Sequence, residues 1–103
     1  TEPIAITGWS IGSERGTGAD VTLDVAFGTI SKLDITASGA VGSDTYKLMR
    51  NSTKSLTGAT LVENITSFPH EATSLPYSEQ TYFMVVKNDS EIIGSANVYP
   101  QGD

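Results

Sequence analysis

No cysteine occurs in the 103 residues, which excludes disulfides, thiolate metal sites and a cysteine nucleophile, and leaves the redox compartment open. Basic residues are few. Six Lys and Arg stand scattered against twelve Asp and Glu, a net charge of −6, whereas a nucleic-acid backbone or an anionic membrane surface attracts clustered cations. Neither is an expected partner. No apolar run approaches the roughly 20 residues of a membrane helix, and Thr1-Glu2-Pro3 has neither the basic nor the apolar region of a signal peptide. A first residue other than Met is what a processed or excised chain would show, and an exported origin, extracellular or at the cell surface, is expected. Helical spacing of apolar residues over three turns is also missing.

What is present is alternation. Val21, Leu23, Val25 and Phe27 interleave with Thr22, Asp24 and Ala26, and Leu33, Ile35 and Ala37 with Asp34, Thr36 and Ser38, each set placing apolar side chains on one face of a strand. Tyr46, Leu48 and Arg50 share a face of the next. Thr60 to Val62 and Ile65 to Phe68 read as short strands, with Pro69 barring the middle of a sheet there. Thr81 to Lys87 and Ile92 to Tyr99 complete the set, joined through Asn88-Asp89-Ser90-Glu91, whose residues favour a tight hairpin turn. Ahead of them all, Ile4 to Ile11 is apolar on both faces and could pair on two sides. It is followed by Gly12 to Gly18, read as a flexible hinge, since no helix start follows to make it a phosphate cradle. The expectation is one all-β sandwich of seven to eight antiparallel strands, with 1–19 as an extra strand and hinge and 20–103 as the sandwich proper.

From about Asp20 to Pro100 the chain resembles the fibronectin type III family of immunoglobulin-like β-sandwiches, especially bacterial extracellular members with a Tyr-x-x-x-Arg third strand, here Tyr46 to Arg50. The resemblance implies five strands: Val21 to Ala26, Lys32 to Ala37, Thr45 to Asn51, Thr81 to Lys87 and Ser95 to Tyr99. It also implies a tyrosine corner from Leu75, Pro76 and Tyr82. Ile35 stands where this family usually buries a tryptophan.

Catalytic chemistry finds no foothold. His70, the single histidine, lies beside Pro69 and Glu71, and no nucleophile elbow surrounds any serine. Asp24 and Asp34 fall on the polar faces of strands expected to be adjacent, where water would keep both ionised, unlike a glycosidase pair. Asp20, Asp44 and Asp89 read as turn residues without a calcium-loop pattern. Neither catalysis nor a cofactor is expected.

Binding is the better prospect. If Tyr46, Leu48, Tyr82, Met84 and Val86 point inward, then Met49, Phe83, Val85 and Tyr99 form an outward apolar patch for another domain or a copy of the chain. Ile4, Ile6, Trp9 and Ile11 could add as a strand to a neighbour's sheet, and Trp9 could instead serve as a stacking platform for carbohydrate. Asn51, Asn64 and Asn88 open three N-x-Ser/Thr sequons. The expected function is a non-catalytic extracellular module, a spacer, adhesion or binding accessory within a larger protein. The alternative is a filament, pilus-like or virion subunit assembling through its N-terminal strand.

Overall fold

The computed structural model describes residues 2–100. Nine strands, β1 (Ala5–Ile11), β2 (Glu14–Thr17), β3 (Asp20–Leu23), β4 (Gly28–Ser38), β5 (Tyr46–Asn51), β6 (Thr60–Ile65), β7 (His70–Tyr77), β8 (Thr81–Lys87) and β9 (Glu91–Val98), make up the fold. They form two sheets, ordered β2-β1-β4-β7 and β3-β9-β8-β5-β6. All pairings are antiparallel except β3 with β9, which is parallel.

Between the sheets, Trp9, Leu33, Ile35, Leu48, Phe83, Val85 and Val98 are at most 1% exposed and belong to one hydrophobic cluster. At roughly 25 cal/mol per Å2 of apolar surface removed from water, such burial is the main favourable contribution to folding.

The N-terminal run is not an appendage. β1 lies between β2 and β4, and Ile4, Ile6, Trp9 and Ile11 are all buried in the chain's own core. A bulge between Ile6 and Gly8 resets the alternation, so even-numbered Ile6 and odd-numbered Trp9 both face inward, as an inserted residue requires. The division at residue 19 and the free strand for addition are both corrected by this placement. The supposed hinge is a hairpin: Ile11 pairs with Glu14, and Gly12 at φ 58° supplies the positive angle that a two-residue turn with glycine first demands.

Three further expectations change. The strand expected from Val21 to Phe27 ends at Leu23, and Phe27 is 54% exposed. Leu75 and Pro76 lie within β7, and Tyr82 stands on the face turned from the core, so the tyrosine corner is not formed from these residues. Ile65 closes β6 rather than opening another strand.

The chain enters at one pole and leaves at the other. Ala5 pairs with Ser38 at the end of β4, whereas Leu23 and Val98 pair beside the loop leading to Gly28 at its start. The longest dimension of the fold is 45 Å.

Candidate functional site

The register of β8 decides the fate of the expected apolar patch. Leu48 lies opposite Val85, and Arg50 opposite Phe83, so Tyr46 and Leu48 do point inward, but the β8 residues that share their face are Phe83 and Val85, both 0% exposed. Tyr82, Met84 and Val86 take the outer face, with half-buried Met49 opposite Met84. Expectation and structure thus agree for β5 and differ by one residue for β8. Tyr99, also half-buried, donates its backbone N–H to Leu23 O at 3.1 Å.

Met84 and Val86 are nonetheless fully buried, and Ser95 is 3% exposed, although they lie outside the inter-sheet cluster. The β5–β6 connection reaches across this outer face. Lys54 Nζ sits 3.2 Å from Asp20 Oδ1, and the same oxygen accepts from Ser95 Oγ at 3.0 Å. Asp20 belongs to β3, three strands from β5 in the sheet, so the connection folds back over β8 and β9. Asn51 shapes it by donating Nδ2–H to Ser55 O and Thr57 O, each at 2.9 Å, while its Oδ1 accepts from Ser52 N.

The sequons therefore differ in surroundings. Asn51 spends both amide protons inside this flap, and a glycan on Nδ2 would remove one. Asn88, at φ 53° in the β8–β9 turn, donates to Asp44 Oδ1 at 3.0 Å and accepts from Thr45 N at 2.9 Å. Asn64 is exposed on edge strand β6.

Titratable groups are dispersed. Among the described residues no group of three His, Cys, Asp or Glu side chains is placed to hold a metal ion. His70 Nε2 lies 2.5 Å from Glu63 Oε2, a pair that ties edge strand β7 to edge strand β6 of the other sheet. Asp24 follows β3 and Asp34 sits on β4, in different sheets, so their expected adjacency is corrected. Lys32 reaches Glu71 at 3.0 Å, Lys47 reaches Asp89 at 2.6 Å, and Lys87 lies 3.8 Å from Asp44. Arg50 donates to Pro76 O at 3.4 Å.

The Tyr77 hydroxyl is buried without a hydrogen-bond partner, its ring 5.2 Å from that of Phe27. Burial, and secondarily the charge of Asp24, holds this phenol above its ordinary value of 10.0. The folded state keeps the proton longer than the unfolded chain, so the stabilisation is whole below about pH 10 and is lost as pH rises through the folded value. Lys32, raised from 10.5 by its hydrogen bond to Glu71 and then by Asp34, acts with the same sign in the same alkaline window. We expect Tyr77→Phe to unfold at the same urea concentration as wild type, or a higher one, at pH 7. It should lose less stability than wild type between pH 9.5 and 11.5, as read by urea titration at each pH.

Among the described residues, hollows open on the surface at two places that bear on the candidate residues. One of about 370 Å3 lies at a pole beside Arg50, Asn51 and Pro76, where the guanidinium and the amide are already committed. The larger, about 500 Å3, is a trough on the outer face of the β2-β1-β4 strands, reaching Pro69. Comparison with family models, curated proteins and solved structures finds no match to this chain.

In the trough, inward Trp9 and Ile11 turn Gly8 and Ser10 outward. Gly8 pairs with Thr17 on one side and Thr36 on the other, and Ser10 with Arg15 and Asp34. Trp9 contributes to the lining but is only 1% exposed, and its Nε1–H donates to Ala19 O at 3.0 Å. It is a core residue and not an exposed stacking platform. Sequence alternation alone could not find the trough, because its wall residues come from β1, β2, β4 and the turn at Pro69.

Proposed function

We propose that this chain is an immunoglobulin-like, fibronectin type III-like module that works extracellularly, without catalysis, as a spacer or binding accessory within a larger protein. The observation that carries the reading is the path of the backbone, entering at one end of the strands and leaving at the other. Units built this way can be joined end to end without folding the array back on itself. Strand order gives further support: β1, β4 and β7 face β6, β5, β8 and β9, the distribution of a Greek-key sandwich, with β2 and β3 added between the first two strands of that plan. Burial of Ile4, Ile6 and Ile11 within the chain's own core counts against assembly by strand donation.

The test is a direct fusion of two copies, compared with the single chain by sedimentation and small-angle scattering. The expected result is a monomeric single chain at all accessible concentrations, and a fusion about twice as long with an unchanged melting temperature. Concentration-dependent growth of the single chain into filaments would instead select the assembly subunit.

A further inference from the structure

We infer that the trough over Gly8 is a binding site for a neutral oligosaccharide. The inference rests on the reading of a non-catalytic binding module and gives it a ligand class.

The trough is lined by Thr7 to Ser10 of β1 together with Arg15, Thr17, Asp34 and Thr36 from its two neighbouring strands. Gly8 is itself buried between Thr17 and Thr36, whose backbones lie two strand spacings apart, about 10 Å. A Cβ on Gly8 would come within 3.0 Å of Thr36 Oγ1 and 3.2 Å of Gly16 O, so glycine here lets Thr36 and the β2 backbone approach β1 closely. The Pro69 ring closes one side, giving an apolar surface against which the C–H face of a pyranose can pack.

Polar groups of opposite character stand along the next row. Arg15 and Asp34 flank Ser10, again about 10 Å apart by strand spacing. Among the described residues Arg15 is the one Lys or Arg side chain without an ion pair or hydrogen bond, the other five being engaged as given above. Its guanidinium is a free fork of donors. Asp34 offers acceptors, its Oδ2 only 3.8 Å from Lys32. Thr7 Oγ1 donates to Thr36 Oγ1 at 3.1 Å, and Thr36 Oγ1 in turn lies 3.4 Å from its acceptor Gly8 O. That chain of donation leaves the Thr7 oxygen with lone pairs for an incoming hydroxyl.

Charge then selects the class. The Arg15 and Asp34 charges cancel locally, as do those of Lys32 and Glu71 beside them, while the chain carries −6 overall. A polyanion would be repelled at long range, and a polycation would meet Arg15. A neutral ligand rich in hydroxyls can use both ends of the row, donating to Asp34 and accepting from Arg15. At about 500 Å3 the volume is within the range of small-molecule sites.

The experiment titrates the full chain, 15N-labelled, with maltotriose, cellotriose and mannotriose to 20 mM, and with trigalacturonate as the charged control. Saturable amide shifts centred on Gly8, Arg15, Thr17 and Thr36 are expected with at least one neutral sugar and weaker ones with trigalacturonate. Arg15→Gln and Asp34→Asn should each weaken binding tenfold or more without moving the melting temperature. Thr17→Val provides a second exposed variant, with a smaller loss. The inference is overturned if none of the three neutral sugars shifts these amides, if the shifts centre elsewhere, or if both charge variants bind like wild type. Failure of these titrations leaves the end-to-end fusion result untouched, so the two readings fail separately.

Discussion

Trp9→Ala is expected to lower stability by about 3–5 kcal/mol, the range for truncating a large aromatic in a packed core. Against a total of roughly 5–15 kcal/mol for a domain, this brings the chain near the point of unfolding at 37 °C. The side chain is 1% exposed, and no exposed part can soften the loss. Its hydrogen bond adds little to the penalty, because Ala19 O also accepts from Ser95 N at 2.9 Å and would not be orphaned. Urea unfolding followed by circular dichroism measures the change, with a drop in melting temperature of more than about 10 °C expected at this chain length. A variant as stable as wild type would remove Trp9 from the core.

Val85→Asp should be more severe. Val85 is 0% exposed and faces Leu48 across the β8–β5 ladder, so a carboxylate there would enter the apolar space between the sheets. An uncompensated buried charge costs several kcal/mol even after relaxation, on the scale of the whole stability, and the variant is expected to lack a folded far-ultraviolet spectrum. Met49→Asp is the control on the opposite face, where half-burial makes a folded, moderately destabilised protein the expected result. A folded Val85→Asp with normal stability would mean that β8 is paired one residue out of register.

That register marks where the sequence stopped being readable. In β5, Lys47 between Tyr46 and Leu48 is enough to identify the inner face. In β8, Phe83-Met84-Val85-Val86 is apolar on both sides, and alternation cannot choose between them. The reason lies elsewhere in the chain: the connection carrying Lys54 reaches Asp20 across the outer face, and Met84 and Val86 are buried there as fully as Phe83 and Val85 on the inner one. β7 escaped notice because His70 to Tyr77 contains Pro76 and a positive-φ Ser74, features that an edge strand tolerates and that hinder pairing with another chain. β2 has no apolar residue in Glu14-Arg15-Gly16-Thr17; its pairing follows from the tight turn at Gly12. The two-sheet fold was therefore legible from Val21, Leu33, Tyr46 and their alternating neighbours. The trough was not, since Gly8, Arg15, Asp34 and Pro69 meet only through pairing across strands.

The polar arrangement of entry and exit has a mechanical consequence. Tension applied between the entry at β1 and the exit at β9 would pull both strands lengthwise against neighbours that flank each of them on both sides. Such a load acts in shear. The hydrogen bonds of a ladder then share the force and give way together, whereas a strand drawn sideways from a sheet unzips one bond at a time. The fold is thus oriented to resist stretching most strongly along the direction in which its chain passes through it.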